Sequence, residues 1–394
     1  MTLPDSEVLS SIVSRVFRVE EVTLGDPKQG YFLRYRGQLL GDSMEAYDQL
    51  AAALRPYDVT PLFRIEDGRQ TVLLLRGLVR PKPGRTSTNV LLFVLTLFSV
   101  LFAGAMYSYD GPVPQDAWGQ VWTLLTHLWV GWPFAVSLLA ILLAHEFGHY
   151  FVGRARGAAV SLPYFIPFPV SLLGTMGAFI QLKEAPRNKR ALFDLGIAGP
   201  LAGLVVAIPI LLYGLSLSRL STIETVPGLF AEGNSLLYLL AKYVIFGQLL
   251  PAPPDLTGMP LLLHWISYFF VGRPSPVGSV DVLIHQVAWA GWAGLLVTFL
   301  NLIPAGQLDG GHVLYAVFGK RARGLWMVIL AGTLLLGVFW SGWWLWAGLI
   351  FLFGRTHAEP LDQITPLDSR RKALAVLMLV IFLLVLTPVP FVVF

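Results

Sequence analysis

The residues best suited to chemistry are His145, Glu146 and His149, in the stretch LLAHEFGHYF. They spell H-E-x-x-H. On a helix, positions four apart lie on one face, separated by about 6 Å along the axis, so the two imidazoles can share one divalent metal. Glu146 follows the first imidazole directly and is placed to act as a general base toward water at that metal. Gly148 removes a side chain beside the metal, which lets substrate or another helix approach. With 7 His in 394 residues, random placement gives roughly 0.003 such matches per chain, so chance explains the pattern poorly. Between positions 128 and 152 these three are the only Asp, Glu, Lys, Arg or His residues in an otherwise apolar run. Ionisable groups inside a membrane span are expensive and mark functional sites by default. The competing explanation is a hydrogen-bonded histidine pair that stitches helices together.

Two imidazoles do not complete a catalytic zinc site, which takes three protein ligands and keeps one open position. The chain has no cysteine, so thiolate ligands and disulfides are excluded. Between positions 286 and 319 the only Asp, Glu, Lys, Arg or His residues are Asp309 and His312, in NLIPAGQLDGGH. Asp309 is the better third ligand, because a carboxylate lowers the net charge of the site and Gly310 and Gly311 permit tight backbone turns beside it. His312 competes for the role and is otherwise a neighbour that orients a ligand. Asn301 is a hydrogen-bond donor for a developing oxyanion, or alternatively a cap on the helix before Pro304. His127, His264, His285 and His357 receive no assignment.

The elements that must carry these residues follow from composition. Hydrophobic residues make up 55% of the chain and charged residues 13%, about half the share of an ordinary soluble protein. Mean hydropathy is +0.65. The reading is a polytopic α-helical membrane protein of about seven spans with a re-entrant hairpin, preceded by a small soluble α+β domain. The expected spans are 88–109, 128–153, 191–217, a broken 282–319, 325–340, 341–354 and 373–394. Segment 161–183 is too rich in proline and glycine for a plain helix and reads as the re-entrant hairpin. Gly196, Gly199 and Gly203 put small residues at helical spacing in the third span, where another helix can approach closely. Asp194, near the start of that span, reads as a helix-end acid rather than a ligand. Residues 1–86 read as helix, strand, strand, helix, strand, strand, with Asp67-Gly68 as a hairpin turn, followed by a stiff basic linker over 79–85. The membrane domain occupies 87–394. The first 26 residues carry acids and bases throughout and lack the apolar run of a secretory leader. Lys and Arg clusters flank the spans so that all fall on one side, the cytoplasm, together with the N-terminal domain. The net charge of +4 records this asymmetry, and no nucleic-acid partner is expected.

The pair AHEFGH and, later, NLIPAGQLDGG, with GTMGAF and GIAGPLAG between them, resembles the site-2 protease family of intramembrane zinc metalloproteases. The likeness covers about residues 120–320 and is closest to bacterial and plastid members with a long insert before the D-G-G span. It implies one zinc held by His145, His149 and Asp309, with Glu146 activating water. It also implies a substrate segment that unwinds and docks as an added strand near 174–179, with Gly174, Thr175 and Gly177 as the contacting residues. The insert shows no PDZ-like domain. The expected function is hydrolysis of a peptide bond within or near a transmembrane segment of a membrane-protein substrate. The expected location is the bilayer of a bacterial inner membrane. A membrane metal transporter or a non-catalytic scaffold is the other class; a transporter should show paired internal repeats with matching broken helices, and the sequence shows only one such break.

Overall fold

The computed structural model describes residues 5–25, 30–78, 84–224, 230–274 and 276–393. Most of the basic linker expected over 79–85 lies outside the described residues. The N-terminal domain has the expected element order. Helix α1 (Ser6–Val13) is capped by Asp5 and buries Leu9, Ile12 and Val13. Strands β1 (Phe17–Leu24) and β2 (Leu33–Leu39) precede helix α2 (Ser43–Leu54), whose cap, Asp42, accepts from the Met44 and Glu45 amides. Strands β3 (Val59–Glu66) and β4 (Arg69–Arg76) follow. They turn at Asp67 and Gly68, with φ of 50° and 77°, the left-handed pair a tight hairpin needs. The antiparallel sheet runs β1-β2-β4-β3 and closes over Leu9, Val13, Phe17, Tyr35, Leu54 and Phe63, all fully buried.

The remainder is mostly helical. In chain order it comprises α3 (Thr86–Ser108), α4 (Ala117–Thr126), α5 (Trp132–Ala155), β5 (Tyr164–Pro167), β6 (Thr175–Phe179), α6 (Lys189–Ser216), β7 (Arg219–Thr222), β8 (Phe230–Glu232), α7 (Leu236–Phe246), α8 (Gly258–Val271), β9 (Val280–Leu283), α9 (Gln286–Leu302), α10 (Asp309–Phe318), α11 (Ala322–Leu336), α12 (Gly342–Phe353), α13 (Ser369–Val385) and β10 (Phe391–Val393). Among the described residues three helical segments are long and apolar enough to cross a membrane: Thr86–Ser108, Leu128–Ala155 and Lys189–Ser216. The other expected spans are shorter. The broken span begins at Gln286, because 280–283 pairs as β9 with β7. Its helix ends at Leu302, before Pro304, and resumes at Asp309. Helices α11 and α12 have 15 and 12 residues, so each is shorter than a bilayer core of about 30 Å. Helices α4 and α8 arise in segments that carried no helix expectation.

The predicted hairpin segment is a pair of antiparallel strands, β5 and β6, lying along α3. Three polar side chains of that apolar helix hold its backbone. Asn89 Nδ2 donates to the Leu162 and Pro163 carbonyls at 3.0 and 2.9 Å, Ser99 Oγ to Gly174 O at 2.5 Å, and Tyr107 Oη to Leu172 O at 2.5 Å. From Asn89 to Tyr107 the helix rises about 27 Å, so the hairpin follows nearly its whole length.

Arg156 and Arg371, from two of the basic clusters, meet at one end of the helical body, and an acid pairs with both there. Asp194 accepts from Arg371 at 2.7 and 2.6 Å and from Arg156 at 2.5 Å, joining the ends of α5, α6 and α13. It is therefore a buried ion-pair hub, a role that goes beyond the helix-end acid read from sequence. The N-terminal domain docks at the same end. Residues 361–363 add to the free edge of β3 through Phe63 N–Leu361 O and Gln363 N–Phe63 O, both 3.0 Å. The same segment bonds the chain just before α6, Leu361 N to Pro186 O and Asp362 N to Arg187 O, both 2.9 Å.

Candidate metal centre

The site forms where α5, α6 and α10 meet, and small residues make that meeting possible. A Cβ at Gly148 would strike the Ala198 carbonyl and the Ala202 methyl on α6. A Cβ at Gly199 would fall on the His149 ring, and one at Gly203 would stand 3.3 Å from His145 Cβ and Nδ1. Gly196 similarly admits α10, its Cβ position lying 3.0 Å from Asp309 O and His312 Cβ. The glycines of α6 are thus the niche in which both imidazoles sit, a more specific role than the close helix approach their spacing suggests.

Three ligand atoms converge in this niche. His145 Nε2 and His149 Nε2 are 3.2 Å apart, His149 Nε2 is 3.2 Å from Asp309 Oδ2, and His145 Nε2 is 3.3 Å from the same oxygen. His145 and His149 are buried, and the Asp309 side chain is 14% exposed. Zinc bonds of about 2.0–2.1 Å at tetrahedral angles set ligand atoms about 3.3 Å apart, so the observed triangle is one face of such a tetrahedron. Polarity agrees with that fit. His149 Nδ1 is 2.8 Å from the Leu195 carbonyl, which can only accept, so Nδ1 carries a proton and Nε2 is the nitrogen turned toward the triangle. An imidazole nitrogen and a carboxylate oxygen 3.2 Å apart call for a positive charge between them, a proton or a metal ion. A carbonyl behind a ligating imidazole is also the usual means of fixing its tautomer and orientation.

The other residues singled out from sequence occupy different places. Glu146 is 4% exposed, and its Oε2 has no hydrogen-bond partner. Asn301, on α9, places Nδ2 3.4 Å from His145 Nε2, at the rim of the triangle. His312 is buried one turn beyond Asp309, against Gly196, and its Nδ1 is unpartnered; it stands outside the triangle. His285 caps α9 by accepting from the Val287 amide, and His357 packs beside Tyr315. Gly174 has φ +72° and a Cβ position blocked by the Ser99 carbonyl and Val100, so glycine is required where the hairpin turns against α3. Thr175 is buried, its hydroxyl donating to Ile166 O at 2.8 Å and accepting from Gly177 N at 3.0 Å. Gly177, with φ +95°, has open space at its Cβ position. Strand β6 pairs with β5 on one side and packs against α5, while Met176 and Phe179 are exposed. Sequence reasoning did not find the Leu195 carbonyl, nor Asn89, Ser99 and Tyr107. The polar residues of α3 were visible as breaks in an apolar helix, but nothing local named their partners.

The profile of Peptidase family M50 matches residues 133–337 of the 394, a stretch that contains the whole triangle. The chain belongs to Peptidase family M50. Among curated proteins of similar sequence, "Probable zinc metalloprotease EGY1, chloroplastic" of Oryza sativa subsp. japonica is 30% identical over 404 residues, covering 94% of this chain and 64% of that protein. "Probable zinc metalloprotease EGY2, chloroplastic" of Arabidopsis thaliana is 26% identical over 401 residues, covering 99% and 66%. The Arabidopsis EGY1 protein is 31% identical over 266 residues, covering 65% and 43%. The chain therefore spans two thirds or less of the length of these relatives. The M50 match begins at position 133, so the N-terminal domain lies outside it, whereas the alignment to the rice protein extends over nearly the whole chain.

Proposed function

We propose that this chain is an intramembrane zinc metalloprotease, hydrolysing a peptide bond within or near a transmembrane segment of a membrane-protein substrate. The observation that carries the reading is the buried His145–His149–Asp309 triangle with tetrahedral spacing and an unpartnered Glu146 carboxylate oxygen beside it. These three residues would hold one zinc, which supplies Lewis-acid polarisation of the scissile carbonyl and a lowered pKa for water. Glu146 Oε2 accepts the proton of the attacking water and returns it to the leaving amine nitrogen. Asn301 Nδ2 donates a hydrogen bond to the oxygen that gains charge. The Leu195 carbonyl keeps the His149 ring in register. The relatives, named as probable zinc metalloproteases, agree with this chemistry.

The membrane assignment rests on the three long apolar helices and on the hairpin. Strands at membrane depth are tolerated only where their backbone groups find partners in protein, and α3 supplies them through Asn89, Ser99 and Tyr107. We read the chain as crossing about seven times, with the hairpin re-entrant beside the active region. The basic end, with the N-terminal domain, faces the cytoplasm or its equivalent compartment in a bacterial-type inner membrane. The substrate segment unwinds and pairs with the edge of β6 that no strand covers among the described residues, past Gly174, Thr175 and Gly177.

The test is Glu146→Gln in the purified full chain. It should retain zinc at wild-type stoichiometry yet lose cleavage of a model transmembrane substrate by a factor of about 100 or more. Full activity in that variant sinks the mechanism. Zinc exchange across sealed vesicles without any cleavage would point to transport instead.

A further inference from the structure

A cavity of about 1080 Å³ lies at the far end of the helical body, where α3 ends. Four separate parts of the chain wall it: the last turn of α3 with Asp110, the hairpin tip around Val170 to Leu172, the β7–β9 pair leading into α9, and the end of β8 at Ala231 and Glu232. Its charge is one-sided. Asp110, Glu224, Glu232 and Asp281 line it, and no Lys or Arg does among the described residues. Glu232 and Asp281 are each 8% exposed. Lys242, fully buried behind the wall, bonds Asp281 at 2.8 Å, and the Tyr238 hydroxyl donates to Glu232 at 2.6 Å. One lysine and the lining His285 thus stand against four acids.

The shape of the cavity suits an extended chain. Strand β7 is exposed along all four residues and pairs with β9 on one side, leaving its other edge open among the described residues. Ser221 and Thr222 of that strand face the cavity. A peptide added to this edge would direct alternate side chains inward. Burial pushes the Glu232 carboxyl above its ordinary range, and an arriving cation favours its ionised form. The hairpin tip ties the cavity to the cleavage machinery, since β6 begins three residues after Leu172.

We propose that this cavity binds the extramembrane flank of the substrate, an extended segment bearing Lys or Arg, and thereby sets the register of the substrate along β6. The proposal rests on the protease reading, and its test is kept separate from cleavage. The probe is a pair of labelled soluble peptides of roughly ten residues, identical except that one carries a pair of lysines where the other carries glutamines. Binding is read by fluorescence anisotropy to the full chain carrying Glu146→Gln, in discs of zwitterionic lipid. The lysine peptide should bind about tenfold more tightly, and the advantage should shrink with salt. Asp110→Asn with Glu224→Gln, both exposed positions, should remove most of it. Equal affinity for the two peptides, no binding of either, or an advantage that survives the double substitution overturns the proposal. A wild-type chain that cleaves nothing, yet shows the lysine preference, sinks the protease reading and leaves this binding site standing.

Discussion

Replacing Gly199 with alanine tests the geometry of the centre most directly. The added methyl would fall on the His149 ring, with Nε2, Cδ2 and Cε1 as its nearest atoms. Ordinary carbon contacts sit at about 3.5–4.0 Å, so the ring must retreat by more than about 1 Å. Metal–ligand distances tolerate about 0.2 Å. The ring also cannot tilt freely, because Nδ1 is held at 2.8 Å by Leu195. Gly199→Ala should therefore cost one of three ligands and weaken zinc binding by about 100-fold or more, roughly 2.7 kcal/mol. The fold should not suffer to match, since alanine favours a helix over glycine by about 1 kcal/mol. Gly203→Ala is the internal control. Its methyl stands 3.3 Å from His145 Cβ and Nδ1, a conflict relieved by a few tenths of an ångström, so zinc affinity should stay within about tenfold of wild type. The assay is competition against a chelator of known zinc affinity, with thermal unfolding of each variant alongside. Wild-type affinity in Gly199→Ala, or equal losses in the two variants, refutes the reasoning.

Two further outcomes follow from contacts that hold the parts together. Asp362 is fully buried and accepts from the Ser43 hydroxyl, the Thr365 hydroxyl and the Ile364 and Thr365 amides. Asp362→Ala should weaken the docking of the N-terminal domain by about 2–3 kcal/mol, seen as at least tenfold faster hydrogen exchange at Phe63 and Gln363 with α5 unaffected; unchanged exchange would contradict it. Asn89→Ala combined with Ser99→Ala removes three hydrogen bonds to the hairpin, about 1 kcal/mol each. KM for a transmembrane substrate should then rise about tenfold or more while kcat changes less, and an unaltered KM would separate the hairpin from substrate binding.

Much of the architecture was legible because local physics decides it. The N-terminal elements carried their own caps at Asp5 and Asp42 and their own turn at Asp67-Gly68, so element order followed from nearby residues alone. The break at Pro304 and the three long apolar helices were legible for the same reason. The insert between α6 and α9 was not. Its short strands pair with distant partners, β8 with β10 more than 150 residues away, and no local pattern encodes such pairing.

The candidate site divides in the same way. The sequence by itself determined the chemistry: H-E-x-x-H gives two imidazoles on one helical face, the lack of cysteine restricts the third ligand, and one broken apolar segment offers Asp309 and His312. Periodicity along a single helix carries that information. Only the tertiary structure decided which of those two side chains meets the imidazoles. It put Asp309 Oδ2 3.2–3.3 Å from both rings and turned His312 against Gly196. It also showed that the glycines of α6 are the space the rings occupy, that Leu195 orients His149, and that Asp194 and Asp362 fasten elements nearly 180 and 320 residues apart in sequence. Those contacts depend on how helices pack, and packing is settled by the shapes of several segments at once rather than by any one of them.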